Sequence, residues 1–198
     1  SLFNFKLTND QINAINEINF DLKSGHKMFR LLQGDVGSGK TIVSTIAAIN
    51  TIQAGYQVCM MVPTEILAKQ HFNFIKNNFK EKYKIELLTG KTDYKKRIEI
   101  LEKLKNNKID FVVGTHSLFQ KKVNYFNLGL IVIDEQHKFG VKQRKDLSDK
   151  GGKNVDVLVM SATPIPRTMV MTIYGDMDIT LIKQKPKNRK PITTYSKI

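Results

Sequence analysis

The chain has 198 residues, a formal net charge of +14 and 41% hydrophobic residues. That length suits one compact domain with a core of its own, and a charged fraction of 25% excludes wholesale disorder. The single cysteine, Cys59, excludes a disulfide framework or a zinc site of several thiolates. No apolar run is long enough to cross a bilayer, and the first residues do not resemble a signal peptide. These features read as a cytoplasmic protein with no membrane partner. Lysine makes up 27 of the 32 basic residues and is spread along the chain, so the charge by itself names no polyanion partner.

In chain order, Thr8 caps a helix expected over Asn9–Lys23, with Ile12, Ile15 and Ile18 at a spacing of three. A first strand, Met28–Gln33, runs into a glycine-rich loop and a helix over Thr41–Ala54 that stops at Gly55. The strand Gln57–Val62 precedes a helix over Thr64–Phe79 that carries Leu67, Phe72 and Ile75. There follow a strand Lys84–Leu88, a helix over Thr92–Asn106 with Ile98, Leu101 and Leu104 on one stripe, and strands at Asp110–Val113, Gly129–Ile133 and Val155–Met160. The strands are apolar at nearly every position, as strands buried on both faces are. This alternation predicts an α/β fold with a mostly parallel sheet and helices on both faces. After Asp178 there is no acidic residue, and Lys183, Lys185, Lys187, Arg189, Lys190 and Lys197 alternate with Pro186 and Pro191. That reads as a domain over residues 1–180 followed by an extended linker over 181–198.

The run Gly34-Asp35-Val36-Gly37-Ser38-Gly39-Lys40-Thr41 fits G-x-x-x-x-G-K-[ST], between a strand and a helix. Glycines let the backbone curl into a nest whose N–H groups face phosphate oxygens, and the next helix aims its N-terminus at the same anion. Lys40 supplies positive charge to the β- and γ-phosphates, and the Thr41 hydroxyl is offered to Mg²⁺. Further on, Leu130-Ile131-Val132-Ile133 ends in Asp134-Glu135-Gln136-His137. In that place Asp134 holds Mg²⁺, and Glu135 orients or deprotonates the attacking water. ATP and Mg²⁺ are therefore the expected cofactors. Ser161-Ala162-Thr163 closes the strand after it, where small hydroxyl residues can bridge a hydrolysis site to a neighbouring surface, and Pro164-Ile165-Pro166-Arg167-Thr168 forms a stiff turn. The four histidines show no metal-ligand spacing.

In this order these motifs resemble motifs I, II and III of superfamily 2 helicases and translocases. The strings Gly34–Thr41, Pro63–His71, Gly114–Gln120, Ile133–Arg144 and Ser161–Thr168 resemble one branch more closely, the bacterial ATP-dependent helicases of branched DNA. The transcription-repair coupling translocases are the alternative, and Gln136 and Ser38 favour the first branch. The resemblance runs from about Phe5 to Thr194 and implies a RecA-like domain. It implies that Phe5 and Gln11 recognise adenine, a task the Gln11 amide could perform by pairing with the base. Capping of the first helix by an exposed Gln11 is the competing reading. It also implies that Thr64 with Glu65, Thr89 with Gly90, and Thr115 with His116 face the DNA backbone, each pair being equally suited to a plain strand-to-helix cap. His137, Ser161, Thr163 and Arg167 take coupling roles. The partners implied are branched double-stranded DNA, a second RecA-like domain supplying catalytic arginines, and a wedge domain, all within a monomer. On this reading the chain is a domain cut from a longer protein. From other classes, a small P-loop phosphotransferase and a DNA-binding module without catalysis remain as alternatives.

Overall fold

The computed structural model describes residues 6–134, 155–164 and 177–184. Its elements are α1 (Asn9–Lys23), β1 (Phe29–Gly34), α2 (Lys40–Gln53), β2 (Gln57–Met61), α3 (Glu65–Phe79), β3 (Ile85–Leu88), α4 (Tyr94–Lys105), β4 (Phe111–Gly114), a short 3-10 turn (His116–Phe119), β5 (Leu128–Asp134), β6 (Asp156–Ser161) and β7 (Asp178–Ile182). The strands form one sheet in the order β3-β4-β2-β5-β6-β1-β7. Every pairing is parallel, so all the carboxyl ends emerge on one edge.

The pleat divides the core in two. Leu32, Val58, Met60, Leu130 and Val132 pack with α1, α2 and α3 on one face. Their alternates Leu31, Cys59, Met61, Ile131 and Ile133 pack on the other face with Ile100 and Leu104 of α4 and with Leu118. Helices therefore cover both faces, as the apolar strands require. The start of β2 is pinned by Gln57, whose buried amide donates to the carbonyls of Leu104 and Ile109 and accepts from the N–H groups of Phe126 and Asn127.

Most element ends shift by about one residue from expectation, and three differences have a local reason. Asp93, not Thr92, caps α4 by accepting from the N–H groups of Lys95 and Lys96, while the Thr92 hydroxyl accepts from Thr89 N at 2.9 Å. β7 was not anticipated. It pairs with β1 alone and buries only alternate residues, so it lacks the continuous apolar run of the inner strands. The expected domain boundary at residue 180 consequently falls inside a strand, and the chain stays docked beyond it: Lys183 N and Gln184 N both donate to Asp10 Oδ2 at 2.9 Å. The rest of the expected linker, residues 185–198, lies outside the described residues. Arg30 ties this edge together, donating to Asp21 Oδ2 at 2.7 Å and Thr180 Oγ1 at 2.8 Å.

Candidate nucleotide site and adjoining rim

The loop between β1 and α2 has the curled backbone its glycines foretell. Gly37 and Gly39 take φ values of 79° and 93°, a region L-residues rarely occupy. Gly39 is the N-cap of α2, and no side chain caps that helix, which leaves the anion-attracting N-terminus to the loop itself. A Cβ on Gly39 would sit 2.1 Å from Gln11 Nε2. Lys40 folds its ammonium back over the loop, donating to Gly34 O at 2.5 Å and Asp35 O at 3.0 Å. A phosphate oxygen, being charged, is a stronger partner for that ammonium than either carbonyl. Ser38 is fully buried, and its Oγ has no hydrogen-bond partner among the described residues.

Gln11 caps α1 as the competing reading had it, but from a buried and not an exposed position. It is 1% exposed. Its Oε1 accepts from Thr8 N at 3.0 Å, and its Nε2 donates to Ser38 O at 2.8 Å. Gln11 thus completes a capping box with Thr8 and fastens the start of α1 to the phosphate loop. Protein partners take one of the two amide N–H groups and one of the two carbonyl lone pairs, which leaves one donor and one acceptor on the side chain. Phe5 lies outside the described residues.

Asp134 ends β5, two strands from the loop. Its Oδ2 is 2.9 Å from Nε2 of His71 on α3. Sequence reading gave His71 no role outside its motif string. The available signal was its place in the inward stripe Ala68, His71, Ile75 and Phe79, since a buried imidazole needs a polar partner. Glu135, Gln136, His137 and Arg167 lie outside the described residues. Ser161 ends β6, and its Oγ accepts from Thr163 N at 3.2 Å and donates to Thr163 O at 3.1 Å, a closed hydroxyl turn beside the phosphate-loop strand.

The donors present suit a magnesium-bound triphosphate. They are the ammonium of Lys40, the hydroxyl of Thr41 in the first turn of α2, the carboxylate of Asp134, and a loop curled through the positive φ values of Gly37 and Gly39. Cys59 contributes no chemistry, because burial pushes its thiol up to about 12.

A second group of loops follows β2, β4 and β3, which are neighbours in the sheet. Thr64 caps α3 by accepting from Leu67 N. Glu65 pairs with Lys91 at 3.4 Å, and a Cβ on Gly90 would sit 3.5 Å from Glu65 Oε1. These pairs of expected contacts therefore come together. Thr115 starts the 3-10 turn, and His116 is exposed. Thr89 is 4% exposed and its hydroxyl accepts from Lys91 N, so it shapes this rim from within.

A parallel sheet with a phosphate loop after β1 and a carboxylate ending β5 defines a RecA-like P-loop nucleoside triphosphatase (NTPase) domain. The chain belongs to the DEAD/DEAH box helicase family, whose model matches residues 8–172. It is 53% identical over 190 residues to the ATP-dependent DNA helicase RecG of Streptococcus pneumoniae, covering 96% of this chain and 28% of that one. With RecG of Staphylococcus aureus the identity is 51% over 194 residues, again covering 28% of the relative. Among solved structures, RecG bound to a three-way DNA junction superposes with a TM-score of 0.83 at 46% identity, covering 96% of this chain and 25% of that one. The DEAD-box helicase Mss116 bound to ssRNA and UDP-BeF shares the fold at a TM-score of 0.67 and 22% identity, over 92% of this chain and 41% of that one.

Proposed function

We propose that this chain is the ATP-binding motor domain of a monomeric, cytoplasmic DNA helicase that remodels branched DNA such as forks and Holliday junctions. The observation that carries the reading is the division of one sheet edge. The phosphate loop, Asp134 and Ser161 follow β1, β5 and β6, while the loops bearing Thr64, Gly90 and Thr115 follow β2, β3 and β4. Nucleotide and nucleic acid would meet the same rigid sheet on adjacent strands. The identity to RecG along nearly the whole chain supports this branch over the transcription-repair coupling translocases.

In this mechanism Lys40 and the loop N–H groups bind the β- and γ-phosphates, and Thr41 and Asp134 would hold Mg²⁺. When bound, that ion neutralises charge developing on the phosphates. Glu135 orients the attacking water, Phe5 contacts adenine, and Gln11 holds the loop. Hydroxyl and backbone groups of the rim contact DNA phosphates without reading sequence, and Lys91, beside Gly90, adds a charged contact there. His137, Ser161, Thr163 and Arg167 couple the two. A second RecA-like domain supplies arginines, as motors of this type require, and a wedge domain grips the branch.

The test is Glu135→Gln in the intact protein. ATP turnover and fork unwinding fall by about 100-fold or more while nucleotide binding persists. Turnover and unwinding at the unmodified rate would refute the assignment.

A further inference from the structure

The carboxylate assigned to magnesium is held by a residue from a different motif. His71 Nε2 approaches Asp134 Oδ2 at 2.9 Å, and the two side chains are only 10% and 16% exposed. A carboxylate offers acceptors alone at neutral pH, so the imidazole N–H is the donor. Packing does not demand a histidine here, because the other members of its stripe, Ala68, Ile75 and Phe79, are apolar. An imidazole among them is costly to bury unless bonded, and the bond it makes ends on Asp134. The helix that carries it is capped by Thr64, on the adjoining rim.

We infer that His71 is a positioning residue for Asp134, fixing one carboxylate oxygen so that the side chain is pre-set to receive the metal ion of the nucleotide complex. The inference rests on the magnesium role given to Asp134 above. A donor behind a metal-binding carboxylate orients it, and its loss weakens the metal without removing a ligand.

The experiment compares His71→Leu and His71→Gln in the intact protein, with Mn²⁺ as the metal probe in the presence of ADP. Mn²⁺ affinity is read by electron paramagnetic resonance, ATP turnover is resolved into kcat and KM, and melting temperature is recorded. His71→Leu weakens Mn²⁺ binding and lowers kcat by about tenfold each, with KM for ATP within about twofold. His71→Gln, which keeps an N–H donor, recovers most of both. If leucine at this position melts below the assay temperature, His71→Met replaces it in the same comparison. Unchanged Mn²⁺ affinity in the apolar variant overturns the inference. So does an equal loss in the apolar and glutamine variants, which marks packing alone. Asp134→Asn separates the layers: if it binds Mn²⁺ like the unmodified protein, the magnesium role itself fails, and the inference fails with it.

Discussion

Gln11 donates to Ser38 O at 2.8 Å and accepts from Thr8 N at 3.0 Å, so one side chain closes a helix cap and braces a phosphate loop. Removing it leaves a buried carbonyl, Ser38 O, and a half-buried N–H, that of Thr8, without these partners. Gln11→Ala is expected to lower stability by about 1–3 kcal/mol, measured by urea denaturation. Because the amide supports the loop, the variant should raise KM for ATP and GTP by the same factor. A loss confined to ATP would instead place the amide on adenine. Local sequence made the cap legible through Thr8 and Gln11, three residues apart. The second bond was not legible, since it reaches across 27 positions to a carbonyl. His71 and Asp134 are 63 positions apart, and only the imidazole within an apolar stripe hinted at such a partner.

Secondary structure followed the sequence where local chemistry decided it. α1 occupies Asn9–Lys23 as expected because Thr8 caps it, although its buried face is Gln11, Ala14 and Ile18, and Ile12 of the expected stripe is exposed. The inner strands appear within about one residue of their apolar runs, because strands covered on both faces leave no polar alternation to blur them. β7 escaped because an edge strand buries one side only. The loop that joins the two halves of the rim depends on an unusually close approach. Gly114 ends β4, and a Cβ there would sit 2.1 Å from Leu88 O and 2.9 Å from Leu118 Cγ. The first contact is with backbone, so a rotamer change cannot relieve it. Gly114→Ala therefore pushes β3 from β4 and should cost about 1–3 kcal/mol or more, with hydrogen exchange rising in Ile85–Leu88 before the rest of the sheet. Exchange that stays unaltered in β3 would show that the strand end relaxes at no cost.

Across the molecule, a net charge of +14 gains meaning from where the fold puts it. A parallel sheet delivers every strand-end loop to one edge, and the sheet order keeps the loops after β3, β4 and β2 apart from those after β5, β6 and β1. The first turn of α4 carries Lys95 and Lys96, a placement the helix dipole disfavours and the Asp93 cap offsets. Beside it, the Lys91 side chain is 84% exposed and pairs with Glu65, an exposed pair that adds little to stability. A polyanion laid along this rim would turn that arrangement to advantage. Lys91→Ala should weaken DNA binding to the same degree for unrelated sequences. It should also make the fall of log affinity with log salt shallower by about 1, as expected for one lost phosphate contact. ATP hydrolysis without DNA should not change, because Lys91 stands on the half of the edge away from the phosphate loop. A salt slope equal to that of the unmodified protein would move the nucleic-acid track off this rim and leave the lysines as a solvated face.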